Sequence, residues 1–257
     1  MGHRSVGQLV AALMVAGLGA SCTQARPVSV PTIAAAVAAP TRSPDNVKLD
    51  ASRKPAELLA FLGLKPGMRV ADMFGVNHYW AEIFAAAVGP RGQVVVWEPS
   101  QFYGDKARAD FAAFVATRPN VAIVASPFAN PALAPRSFDL MLLNLDYHDV
   151  YWQSAKYKIA AMEPDAWLKV IYAAMKPGGI VGVVDHVGSA GDTRAIVDRL
   201  HRIDPAVVRA DFERAGFILD GESPLLRNPA DDHLLLVFDP AIRGKTDRFA
   251  LRFRKPR

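Results

Sequence analysis

Cysteine is nearly absent from this chain. Cys22 is the one such residue among 257, so no internal disulfide can form and the fold rests on its core alone. Long apolar runs are scarce too. The run at residues 9–18 is too short to anchor stably across a bilayer. No histidine pair has the short spacing of a zinc motif, and no metal site is assigned. There is no internal repeat, which excludes solenoids and arrays. There is also no aromatic–basic stacking platform, so no specific nucleic-acid binding is expected.

What is present marks a folded chain. Hydrophobic residues make up 51% and charged ones 21%, a balance outside the disordered class. The net charge is +5. Much of the excess lies at the end, where Arg243, Lys245, Arg248, Arg252, Arg254, Lys255 and Arg257 face Asp247 alone. Phe249, Leu251 and Phe253 alternate with polar residues there, which predicts a strand with a cationic solvent face.

His3 and Arg4 precede the apolar run, which ends in Gly19, Ala20 and Ser21. That is the layout of a secretory signal over residues 1–25. Thr23-Gln24-Ala25 suits signal peptidase I. Leu18-Gly19-Ala20-Ser21-Cys22 instead resembles a lipobox whose leucine lies one place too far upstream, and Cys22 would then carry a lipid tether. The expectation is an exported protein, periplasmic or lipid-anchored at the envelope. Residues 26–45 read as a flexible Ala/Pro/Ser/Thr/Val linker, and residues 46–257 as one domain.

Within that domain Pro55 suits a first helical turn ahead of Leu58, Leu59, Phe61 and Leu62. Residues 68–73 form a short buried strand, with Asp72 near its carboxyl end. Trp80, Ile83, Phe84, Ala87 and Val88 repeat at helical spacing until Gly89-Pro90. Residues 93–97 are an unbroken apolar strand followed by Glu98, the mark of burial on both faces of a parallel sheet. A helix over 107–117, strands at 121–125 and 138–143, a helix from Pro164 and a strand at 180–184 continue the alternation. Asp204 caps a last helix with Pro205 at its first position. Residues 217–219 and 234–238 then read as the strands of a closing hairpin. The fold class is α/β: a Rossmann-like, doubly wound, mostly parallel seven-stranded sheet with a C-terminal antiparallel hairpin.

Two motifs carry a family resemblance. Leu64-Lys65-Pro66-Gly67-Met68-Arg69-Val70-Ala71-Asp72 and Met175-Lys176-Pro177-Gly178-Gly179 resemble the entries to the first and fifth strands of class I S-adenosylmethionine-dependent methyltransferases. Asp185-His186, Leu200-His201-Arg202-Ile203-Asp204, Arg227-Asn228-Pro229-Ala230-Asp231-Asp232 and Lys245-Thr246-Asp247-Arg248-Phe249 are similar to a group of predicted bacterial methyltransferases with export signals. The resemblance spans roughly residues 46–256. It implies S-adenosylmethionine as cofactor, a small-molecule substrate, and Asp72, Gly75, Asn77, His78, Glu98, Ser126 and Asn144 around the cofactor.

Ligands in open α/β sheets lie beyond the carboxyl ends of the strands, where strand order reverses. A carboxylate after the second strand, here Glu98, can accept from both ribose hydroxyls. The glycine loop departs from the family pattern. Phe74-Gly75-Val76-Asn77-His78-Tyr79 keeps one glycine, and Asn77 and His78 tolerate a left-handed backbone better than Val76 does. Ala125-Ser126-Pro127-Phe128 lacks the acid that often meets adenine. After the fourth strand, Asn144-Leu145-Asp146-Tyr147-His148-Asp149 places Asp146 and His148 as candidate catalytic residues, His148 removing a proton from an acceptor. A helix cap by Asp146 with a packed His148 is the plain alternative. His78, His148 and His186, with Asp146 or Asp185, follow strand ends and could converge, whereas His201 and His233 read as structural. Three functions stay open: a methyltransferase, a non-catalytic exported binding module on the same fold, and a metal-assisted hydrolase.

Overall fold

The structure, a computed structural model, describes residues 1–2, 32–75 and 77–257. Apart from Met1 and Gly2, the export-signal segment with Cys22 lies outside the described residues, as does Val76. Short helices α1 (Ile33–Val37), α2 (Pro44–Val47) and α3 (Asp50–Arg53) lead into α4 (Pro55–Leu62). Then come β1 (Arg69–Met73), α5 (Tyr79–Val88), β2 (Gln93–Pro99), α6 (Asp105–Ala116), β3 (Val121–Ser126) and β4 (Phe138–Asn144). A 3-10 turn at Tyr147–Val150 precedes α7 (Pro164–Ala174) and β5 (Met175–His186). The chain closes with α8 (Thr193–Leu200), α9 (Pro205–Arg214), β6 (Ile218–Ser223) and β7 (Arg248–Arg254).

Alternation along the central strands sorts their side chains into two cores. Ala71, Met73, Val95, Trp97, Met141 and Leu143 share one core with Trp167 and Ile171 of α7 and Phe212 of α9. Val70, Val94, Val96, Leu140 and Leu142 share the other with Leu58 and Leu59 of α4 and Ile83 and Phe84 of α5. Burial on both faces is why these strands read as unbroken apolar runs. The seven-stranded sheet has the order β3-β2-β1-β4-β5-β7-β6. The pairs β1–β2, β1–β4, β2–β3 and β4–β5 are parallel, and β7 runs antiparallel to both β5 and β6. Among the described residues no helix is long and apolar enough to cross a membrane.

Three expectations need correcting. The linker over 26–45 is cut short, because α1 packs against the domain and buries Ala36 completely. Arg42, also buried, then grips Asp50 through both terminal nitrogens at 2.7 and 2.8 Å. Second, α8 adds a helix that the apolar pattern does not signal. Asp192 caps it by accepting from the Ala195 N–H at 3.2 Å.

Third, the closing hairpin uses β7 and not residues 234–238. Phe249, Leu251 and Phe253 join one core while Ala250 joins the other, so β7 suits an interior position between β5 and β6. Leu234, Leu235, Leu236 and Phe238 stay exposed in a loop. The cations of β7 are not a free solvent face either. Arg248 donates to the Ser52 carbonyl, Arg252 to the Phe61 carbonyl and Arg254 to Asp220.

A buried ion pair fixes that loop. Arg202, fully enclosed, meets Asp231 through two bonds at 2.9 and 3.0 Å and donates to the Val187 and Leu235 carbonyls. Asp231 also accepts the Asp247 N–H at 2.6 Å. Removing one partner would leave a charge buried and unpaired. Asp231→Ala should therefore lower unfolding free energy in urea by about 3–5 kcal/mol. The exposed neighbour change Asp232→Ala should cost under about 1 kcal/mol.

Candidate functional site

The reversal of strand order between β1 and β4 leaves a crevice at the strands' carboxyl ends, and acids gather around it. A cavity of about 210 Å³ opens there, with Arg53, Asp72, Phe74, Gly75, Asn77, Trp80, Asn144 and Asp146 in its wall. Asp72, Gly75, Asn77, Asn144 and Asp146 are thus brought together as the sequence suggests. Arg53 and Trp80 were missed. A single sequence offers no signal that sends the cation at the end of α3 into the crevice, and Trp80 reads as an ordinary apolar helix residue.

Asp72 and Glu98 sit on neighbouring strands and point to the α5 face, in phase with Val94 and Val96. Both are buried. Asp72 Oδ2, Glu98 Oε2 and the Trp80 indole nitrogen lack hydrogen-bond partners among the described residues. Burial pushes the Asp72 carboxyl up to about 7 against the pull of Arg53 and the Ala81 amide. Burial, reinforced by Asp72, pushes Glu98 up to about 8. Asp146 is raised well above its usual range, first by burial and then by Asp149, Asp185, Asp72 and Glu98. Arg53 lies over the Tyr79 ring at 4.2 Å.

The loop after β1 is held in an unusual path. Phe74 and His78 take left-handed backbones, with φ of 56° and 57°, and Leu145 beyond β4 does so at 68°. Gly75 is required by close approach, since a Cβ there would collide with the Val96 side chain and crowd the Asp72 carboxylate. Asn77 is exposed, and its side-chain oxygen accepts the Tyr79 N–H at 3.2 Å. His78 does not reach the cavity. Its ring stacks on Phe114 at 4.3 Å and meets Phe111 at the same distance, and burial lowers its pKa.

Ser126 is likewise committed to the protein. Its hydroxyl accepts from the Trp97 indole at 2.8 Å and from the Ala132 N–H at 2.9 Å. The Phe74 ring stands edge-on to both Trp97 and Phe128 at 5.0 Å. Phe74 is thereby held against Trp97 and Phe128 beyond the ends of β2 and β3, and Pro127 has no N–H to donate.

His148 and Asp146 separate. Asp146 faces the cavity, while His148 turns into a second cluster. Its Nδ1 meets Asp185 Oδ1 at 2.8 Å, and its backbone N–H donates to Asp185 Oδ2 at 2.9 Å. Its Nε2 faces His201 Nδ1 at 3.3 Å and Asp149 Oδ1 at 3.4 Å. Burial pulls the His148 pKa down, but Asp185 and Asp149 outweigh it and hold it at about 9. His201 packs against Trp152 and Phe238 and also faces Asp149 Oδ1 at 3.5 Å. His233 bonds to Asp247 Oδ2 at 3.1 Å. His186 bonds to Thr246 Oγ1 at 2.7 Å, and its ring centroid lies 6.0 Å from that of His148.

No family model matches the chain, and no curated protein matches it in sequence. Solved structures do match in fold. An S-adenosylmethionine-dependent methyltransferase from Aquifex aeolicus superposes with a TM-score of 0.57 at 16% identity, covering 82% of this chain and 93% of that one. The 1,6-didemethyltoxoflavin N1-methyltransferase of Burkholderia thailandensis, solved with S-adenosylhomocysteine, gives 0.54 at 16% identity over 83% and 80%. The [4+2]-cyclase SpnF gives 0.53 at 17% over 80% and 81%. The two raised carboxyls at the strand ends of this chain carry a pH signature of their own. The folded protein retains protons that the unfolded chain releases, so their contribution is full at acid pH. It is lost as pH rises from 4.5 to about 8 for Glu98 and from 3.8 to about 7 for Asp72. Glu98→Gln removes one of these groups. In urea unfolding the variant should gain about 1–3 kcal/mol over the parent at alkaline pH, with the gain vanishing in mild acid. A pH-independent difference would contradict the assignment.

The chain has the fold of the class I methyltransferases, and a cyclase on the same fold shows that architecture alone does not assign the reaction.

Proposed function

We propose that the domain binds S-adenosylmethionine and passes its methyl group to a small molecule. The supporting observation is the set of partnerless polar atoms at the strand ends, on Asp72, Glu98 and Trp80. Buried polar groups without partners are costly, and a ligand of matching polarity relieves them. Arg53 and the Trp80 indole N–H suit the carboxylate of an amino-acid group, Asp72 suits its ammonium, and Glu98 suits a ribose diol. When bound, the cofactor supplies an electrophilic methyl on a sulfonium that leaves as a thioether, so positioning dominates over acid–base help. Asn144 and Asp146 would orient the acceptor at the end of β4.

The adenine side is the most confined part of this site. The cavity of about 210 Å³ is smaller than the roughly 300–1,000 Å³ typical of ligand pockets, and the Phe74 ring stands in its wall. That ring favours a second reading, a non-catalytic binding module on the same fold. The proposed export signal also favours it, since the cofactor is made in the cytoplasm.

Calorimetric titration of the full chain with S-adenosylmethionine and S-adenosylhomocysteine separates the two. Micromolar binding is expected, weakened roughly 10- to 100-fold by Glu98→Ala. Phe74→Ala should tighten it by opening the adenine side. No binding by either the parent or Phe74→Ala would overturn the methyltransferase proposal in favour of the module.

A further inference from the structure

The cluster around His148 brings three metal-ligating side chains to one spot. Asp185 accepts from the His148 N–H and from the His186 N–H, and its Oδ1 also faces His148 Nδ1. With Nδ1–H donated to Asp185, the His148 ring turns Nε2 outward, where it offers a lone pair once a metal displaces its proton. That nitrogen faces His201 Nδ1 at 3.3 Å and Asp149 Oδ1 at 3.4 Å, and those two atoms stand 3.5 Å apart. Asp149 Oδ1 is buried and without a hydrogen bond among the described residues. Three metal-ligating atoms thus point at one spot.

We propose that His148 Nε2, His201 Nδ1 and Asp149 Oδ1 form a binding site for a divalent ion of the zinc type. Metal–donor bonds of about 2.0–2.1 Å at tetrahedral angles put donor atoms about 3.3–3.4 Å apart. The three measured separations lie close to those edges. Two imidazoles and one carboxylate suit zinc and its first-row neighbours, and three protein donors leave a fourth position for water or a substrate oxygen. The carboxylate behind His148 supplies the outer support that metal-bound histidines usually have, fixing the tautomer and the ring.

The backbone holds these donors in place. His148 and Asp149 share the 3-10 turn after β4. His201 closes α8 in a left-handed conformation with φ of 49°, an uncommon state for a side chain of this size. Its ring is flanked by Trp152 at 5.2 Å and Phe238 at 5.1 Å. The otherwise exposed Phe238 thereby shields the donor from water on one side. None of the three donors lines the cofactor cavity, so the site stands whether or not S-adenosylmethionine binds.

The test uses the full chain stripped with a chelator, then titrated with zinc and, separately, with cobalt(II). One equivalent of zinc by elemental analysis and the visible absorption of tetrahedral cobalt are expected. Both should be lost in Asp149→Ala and in His201→Gly, the latter preserving the left-handed backbone. Asp185→Asn should weaken zinc about 10- to 100-fold. His233→Gln, remote from the cluster, should leave it unchanged. Circular dichroism checks that each variant is folded. No stoichiometric zinc in the folded parent, or zinc retained by folded His201→Gly, would overturn the proposal.

Discussion

Parallel pairing of β1 with both β2 and β4 brings the carboxyl ends of three strands side by side, with the helices after them departing to opposite faces of the sheet. The gap at this reversal cannot be closed by helix packing, and every chemically useful group in the domain borders it or the adjoining end of β5. Asp72 and Asp146 reach it, and Glu98 and Asp185 come close on the flanking strands, because each lies at or just beyond a strand end. Elsewhere on these strands an acid would have to enter an apolar core, and the two cores on either side of the sheet admit almost none.

The cost of that gathering is desolvation of several carboxyls in one place. The molecule meets it in two ways. Where cations are close, as with Arg202 on Asp231 and Arg227 on Asp247, the acids keep their charge, held below the usual range against their own burial. Glu98, on the strand beside the cavity but not in its wall, has no such pairing among the described residues, and burial lifts it toward neutrality. The first arrangement builds structure. The second leaves polar atoms free for a ligand, which is the physical difference between the scaffold and the site.

Much of the fold was legible because periodicity follows burial. The unbroken apolar runs of β2 and β4, the caps at Asp204 and Pro205, and the acids after the strands are all local signals. The hairpin was misplaced for a related reason. Residues 234–238 are as apolar as a strand, but the Arg202–Asp231 pair and the Asp231–Asp247 contact fix the surrounding loop, and β7 satisfies both cores. No local pattern distinguishes an apolar segment held out of a sheet from one placed within it. The linker reading failed similarly, since the alanines of α1 look unstructured until Ala36 finds its place in the core.

By itself, the sequence determined the fold class and the presence of acids at the strand ends, because alternation, capping and turn chemistry act over a few residues. It also marked Phe74-Gly75-Val76-Asn77-His78 as a departure from a glycine-rich loop. Tertiary structure alone decided which groups meet. It sent the Phe74 ring toward Trp97, turned His78 onto α6, separated Asp146 from His148, and joined His148 to His201 across 53 positions of chain. Such meetings depend on long-range packing, where side-chain direction is set by neighbours far away in sequence, and no local spacing encodes them.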